Sequence, residues 1–156
     1  IWRLGEDLFE ILPKPIVSAP DVVAGPVMGG ALLAHTIAGL LDSRRSLSVP
    51  PTSFAPLSLD SSGGLVLRPF YRTVVAGKRV LIADDVRNTG KTFERAKAVI
   101  EEAGGTVLAK IEIYDRLEAI VDLGVPNIAL AGYRAPENYP AGDCPLCRSG
   151  VPITTF

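Results

Sequence analysis

Four apolar residues, Val80-Leu81-Ile82-Ala83, run straight into two adjacent acids, Asp84-Asp85, and then a polar stretch, Val86-Arg87-Asn88-Thr89-Gly90-Lys91-Thr92. Behind that stretch Phe93, Ala96, Val99, Ile100 and Ala103 recur at helical spacing until Gly104-Gly105 stops the pattern. An unbroken apolar tetrad suits a strand covered on both faces, and a one-sided helix behind it suits packing on a sheet. Strand, tight loop and helix in that order are half of a βαβ unit, which commits the chain to alternating layers.

The remaining pattern agrees. Asp21-Val22-Val23-Ala24 reads as a buried strand running into a glycine-rich turn, Gly25-Pro26-Val27-Met28-Gly29-Gly30. From Ala31 to Leu41 nearly every position is apolar, a buried helix ended by Asp42-Ser43, with His35 expected to pack in the core. Residues 44–64 are Ser/Pro-rich with a strand around Ser53-Phe54-Ala55; Leu65-Val66-Leu67 and Thr73-Val74-Val75 read as short strands either side of Arg68 to Arg72. Residues 106–114 form another strand and 128–131 a last one. The expectation is one α/β domain over 1–156, a mainly parallel central sheet flanked by helices. Ligands of such sheets bind beyond the carboxyl ends of the strands, where the glycine turns and the two acids fall. The chain starts at Ile1 without a methionine, so residues before it are expected.

With 156 residues, 47% hydrophobic and 21% charged, the chain can bury a continuous core. A net charge of -1 gives no electrostatic case for nucleic acid or an anionic membrane. No apolar run approaches the roughly 20 residues that span a bilayer. Two cysteines, Cys144 and Cys147, make no disulfide framework, and a cytoplasmic enzyme is expected. Their spacing is that of half a zinc site, which a second copy of the chain would have to complete; packed free thiols are the alternative.

The acids and the loop carry the chemistry. Adjacent carboxylates at a strand end can accept hydrogen bonds from two neighbouring hydroxyls, as on a ribose. The Thr89-Gly90-Lys91-Thr92 turn offers backbone N–H groups at a helix N-terminus, two hydroxyls and close backbone approach, which together suit a phosphate. A phospho-accepting receiver domain also ends a strand in paired acids, but near its chain start and without a phosphate turn. A Walker A loop needs glycine five residues before Gly90, where Asp85 stands. A structural loop with solvated acids is the remaining alternative.

The stretch from Val80 to Thr92 resembles the phosphoribosyl pyrophosphate signature of type I phosphoribosyltransferases: apolar strand, two acids, Val, two variable positions, Thr-Gly and a closing Ser or Thr. The 23–30 stretch is similar to the pyrophosphate loop of the orotate phosphoribosyltransferase family. Phe54-Ala55, Leu67-Arg68 and Gly77-Lys78-Arg79-Val80 follow that family's order, Asp115-Arg116 resembles the dipeptide whose Arg contacts orotate, and the tail 144–152 is similar to one bacterial branch. The resemblance implies that Asp84 and Asp85 hold the ribose hydroxyls and, through them, Mg²⁺. It further implies that Asn88, Thr89, Gly90, Lys91 and Thr92 hold the 5-phosphate. Gly25, Met28, Gly29 and Gly30 would hold pyrophosphate, and Arg116 the orotate carboxylate. Apart from the resemblance, Arg68 and Arg72 either reach phosphates or are solvated strand charges.

The implied activity is transfer of ribose 5-phosphate from phosphoribosyl pyrophosphate to orotate, giving orotidine 5′-phosphate and pyrophosphate, in a homodimer with an incomplete hood over the sheet. Two features depart from the family. Its mobile loop usually supplies Lys, Arg and His, whereas residues 56–64 here contain no base, and Asn88 and Lys91 stand where Thr and Gly are usual. A phosphoribosyl pyrophosphate-binding regulatory protein and a purine-type phosphoribosyltransferase are the alternative functions.

Overall fold

Apolar residues of the central strands divide by parity between two cores. In the computed structural model, which describes residues 1–118, 121–134, 139 and 142–152, Val23, Leu81 and Ala83 face one core while Val22, Ala24, Val80 and Ile82 face the other. That period of two is the geometry of a strand buried on both faces.

Helices α1 (Trp2–Glu10) and α2 (Lys14–Ser18) precede strand β1 (Val22–Pro26), and α3 (Gly29–Ser43) follows it. Next come β2 (Ser53–Leu59), β3 (Leu65–Val66), α4 (Pro69–Val75), β4 (Arg79–Arg87), α5 (Lys91–Glu102), β5 (Thr106–Asp115), β6 (Asn127–Gly132) and α6 (Pro145–Arg148). The six-stranded sheet has the order β3-β2-β1-β4-β5-β6. All neighbours are parallel except the β2–β3 hairpin. The mainly parallel α/β expectation therefore holds.

On one face α1 and α3 cover the sheet, with Leu8, Phe9, Leu33, Ile37 and Leu41 buried against Leu81 and Ile111. On the other, Phe93, Ala96 and Ile100 of α5 meet Val80, Ile82 and Leu57, and Val75 of α4 joins them.

Three expectations need correction. Thr73-Val74-Val75 is the end of a helix, not a strand. Pro69 occupies the first turn, where its fixed φ and missing N–H favour helix initiation, and Arg68 before it is extended. His35 is exposed, its ring edge-on to Phe54 at 5.5 Å. Leu32, His35 and Gly39 mark the outward stripe of α3, a stripe hidden in sequence because its apolar Leu32 looks like core. The β4 strand also continues through both acids to Arg87, so the loop begins later than the apolar run suggests.

Candidate functional site

Strands β1 and β4 are parallel neighbours, with Ala24 opposite Ile82, so their carboxyl ends open side by side. The 25–30 turn leaves one and the 88–92 turn leaves the other. The two turns meet the acids at very short range. A Cβ on Gly29 would lie 2.0 Å from Asp85 Oδ2, one on Gly30 2.7 Å from Asp84 Oδ1, and one on Gly25 2.2 Å from the Gly30 carbonyl oxygen. Only side-chain-free residues let the turn close down beside the carboxylates. The Val27–Met28 peptide within it is cis.

Between the turns lies a cleft of about 370 Å³. Pro26, Val27, Met28 and Gly29 line it from the first turn, Asp84 and Asp85 from the end of β4, Thr92 and Arg95 from α5, and Leu59, Gly63 and Leu65 from the β2–β3 hairpin. A smaller adjoining cavity of about 110 Å³ is formed by Asn88, Thr89, Gly90, Lys91 and Thr92, with Asp84 and Arg87 at its base. Gly90 has φ +85° and is the N-cap of α5, a left-handed conformation that glycine adopts without strain. The first-turn N–H groups of a helix have no intrahelical acceptors, and the dipole there favours negative charge. Thr89 is half-buried and Thr92 exposed, so both hydroxyls remain available to the cavities they line.

The acids differ in their surroundings. Asp84 is buried and Asp85 exposed. Asp84 Oδ1 accepts the Asp85 N–H at 3.0 Å, and Asp85 Oδ1 accepts that of Val86 at 2.8 Å. Burial, reinforced by the charges of Asp85 and Glu112, pushes the Asp84 carboxyl up to about 7.

Beneath the smaller cavity lies a buried ionic cluster that the sequence reading missed. Arg87 pairs with Asp115 through Nη2 and approaches Glu112 at 3.4 Å, its side chain fully buried. Burial pushes Glu112 up to about 7, although Asn127 donates to it at 2.6 Å. Asp115 also accepts the Leu117 N–H at 2.8 Å, fixing the segment that carries Arg116. Arg116 in turn donates to Asn88 Oδ1 at 3.0 Å and lies 3.5 Å from Glu118.

Most of the expected site residues therefore converge. Met28, Gly29, Asp84, Asp85 and Thr92 line the main cleft; Asn88, Thr89, Gly90 and Lys91 line the smaller one; Gly25 and Gly30 let the turn approach; and Arg116 is tied to the rim through Asn88. Arg68 is not brought there: it is the exposed N-cap of α4 and lines neither cavity. Arg72 pairs with Glu102 at 3.0 Å instead. Arg95 was missed, although its position three residues after Thr92 puts it on the same helical face, the one signal that could have found it. Cys144 is the N-cap of α6 and Cys147 lies within it, and among the described residues no group of three or more His, Cys, Asp or Glu could hold a metal ion. Among those residues, too, no helix is long and apolar enough to cross a membrane.

Fold and cleft define an α/β protein with its candidate site at the crest of a parallel sheet. The chain belongs to the phosphoribosyltransferase family: the phosphoribosyl transferase domain model matches residues 7–121, and the chain is a transferase of that class. An orotate phosphoribosyltransferase of Heliobacterium modesticaldum is 33% identical over 150 residues, spanning 96% of this chain and 72% of that protein. The crystal structure of orotate phosphoribosyltransferase from Aeropyrum pernix superposes with a TM-score of 0.63 at 21% identity, covering 83% of this chain and 70% of that one. Adenine phosphoribosyltransferase from Thermoanaerobacter pseudethanolicus shares the fold almost equally, with a TM-score of 0.61 at 20% identity over 83% of this chain and 80% of that one.

Proposed function

We propose that this chain is a cytoplasmic orotate phosphoribosyltransferase of pyrimidine nucleotide synthesis, transferring ribose 5-phosphate from phosphoribosyl pyrophosphate to orotate with release of pyrophosphate. The observation that carries the reading is the meeting of two carboxylates, Asp84 and Asp85, with a 110 Å³ anion cavity at the N-terminus of α5. In this reading the ribose hydroxyls donate to the two carboxylates. The 5-phosphate occupies the 88–92 turn, accepting from its N–H groups, from Thr89 and Thr92, and from Lys91. Pyrophosphate lies along Pro26 to Gly29 at the N-terminus of α3.

As the bond to pyrophosphate breaks, positive charge develops on the sugar, and the ionised acids stabilise it. The paired acids supply oxygen donors of the kind Mg²⁺ prefers, but too few for a protein cage, so the ion would take most of its ligands from substrate and water. Bound there, Mg²⁺ would supply charge neutralisation on the leaving group. Arg116 is the residue proposed to pair with the carboxylate that distinguishes orotate from purines.

Similarity to named orotate enzymes at 33% identity supports the choice of base. Phosphoribosyl pyrophosphate, orotate and a second copy of the chain are the proposed partners. The last is supported by an exposed apolar face of Val27, Met28 and Leu32 beside His35 and Phe54.

A second reading, a regulatory protein that binds phosphoribosyl pyrophosphate without transferring it, is favoured by the base-free β2–β3 hairpin. Labelled phosphoribosyl pyrophosphate incubated with orotate, adenine, hypoxanthine or xanthine separates these cases. Orotidylate should form, and D85N should lower its rate by about 100-fold. A purine nucleotide as product would reassign the base, and tight binding without any nucleotide product would favour the regulatory reading.

A further inference from the structure

We propose that Arg95 is the cation that grips the pyrophosphate end of the substrate, an inference that rests on the phosphoribosyl reading above. Pyrophosphate is a multiply charged anion that gains charge as its bond to the sugar breaks, so the cleft must present positive charge to it. Asp84 and Asp85, which also line it, do the opposite, because they are acids. The hairpin contributes only Leu59, Gly63 and Leu65 to the cleft. Its one acid, Asp60, is spent within its own turn, accepting Ser62 N–H at 2.8 Å, Ser62 Oγ–H at 2.6 Å and Gly64 N–H at 2.9 Å.

Among the described residues that line the cleft, Arg95 is the single cationic side chain. It lies one turn beyond Thr92 on α5, lines the same cleft as residues 26–29, and is exposed. It enters no ion pair among the described residues, although Lys97 on the same helix is paired with Glu101 at 2.8 Å. Lys91 lines the smaller cavity and not this one. The geometry thus divides the labour: Lys91 stands by the 5-phosphate cavity, Arg95 by the pyrophosphate. A planar guanidinium can bridge two phosphate oxygens, which a lysine cannot do with the same geometry.

Calorimetric titration of wild type, R95A and R95K with three ligands tests this, each with Mg²⁺ present: ribose 5-phosphate, inorganic pyrophosphate and phosphoribosyl pyrophosphate. Because Arg95 is exposed and enters no ion pair among the described residues, its removal should leave the fold intact, which thermal melts will verify. R95A should bind pyrophosphate and phosphoribosyl pyrophosphate about 10- to 100-fold more weakly, the loss typical of a hydrogen bond to a charged group, with ribose 5-phosphate affinity unchanged within about twofold. R95K should recover part of the loss. If R95A binds pyrophosphate as the wild type does, or loses ribose 5-phosphate to the same extent, Arg95 has no such role. If the wild type binds none of the three ligands, the phosphoribosyl reading itself falls and takes the role of Arg95 with it.

Discussion

Asp84 is held where burial opposes its own ionisation, and that conflict has a sign. The free carboxyl ionises near 3.8, whereas the folded one does so at about 7. Between those values the folded chain keeps a proton that the unfolded chain has lost, so this residue makes stability fall as pH rises through the interval and contributes no further slope above it. Glu112, pushed to about 7 by burial, works in the same direction. D84N keeps the acceptor for the Asp85 N–H but cannot ionise. It should therefore be more stable than wild type at pH 8, by about 1–2 kcal/mol, with the gap closing toward pH 4. Sugar hydroxyls are donors and favour the ionised acid, so ribose 5-phosphate affinity of the wild type should climb from pH 6 to 8 more steeply than that of D84N, which stays weaker and keeps only the rise from the second ionisation of the phosphate itself. Denaturant melts and titrations at both ends of the range check the pair of outcomes; a D84N no more stable than wild type at pH 8 would contradict the burial argument.

At the scale of elements, the β4–β5 ladder is what ties the 88–92 turn to the segment bearing Arg116. It continues past the apolar run, with Asp84 opposite Glu112 and Arg87 opposite Asp115. Arg87 is the buried counter-charge of that ladder. R87M should cost about 3–5 kcal/mol in urea melts because it strands two buried carboxylates; a loss under about 1 kcal/mol would show that the cluster is stabilised in some other way. The buried charge cluster was not legible beforehand. Asp84, Arg87, Lys110 and Glu112 break the hydrophobic pattern that reveals strands, and their partners lie 28 or so residues away on another strand. The Val80–Ala83 run, by contrast, was plain, because parity-independent burial leaves an unbroken apolar string. Thr73–Val75 misled through its β-branched residues, whose strand preference yields to tertiary packing and to the Pro69 start. Trp2–Glu10 went unread although Leu8 and Phe9 are buried, since one short helix shows too few turns to fix a period. The convergence of the two turns and the acids at the ends of neighbouring strands was legible. Arg95 was not, because a charge on an exposed helix face has many innocent explanations.

Seen as a whole molecule, two cores clamp one parallel sheet, and the helices that cover its opposite faces, α3 and α5, both begin at the same crest. The arrangement sets two positive helix ends beside a pair of acids, the layout that the proposed substrate, a sugar carrying an anion at each end, calls for. The family assignment covers this crest, since residues 7–121 include both turns. Its binding role is decided by comparing ribose 5-phosphate, 2-deoxyribose 5-phosphate and unphosphorylated ribose by titration calorimetry. Loss of either the 2-hydroxyl or the phosphate should weaken binding by at least about tenfold, the worth of a charge-assisted hydrogen bond. Equal affinity for all three sugars would contradict the claim that acids and turn together read a phosphorylated diol.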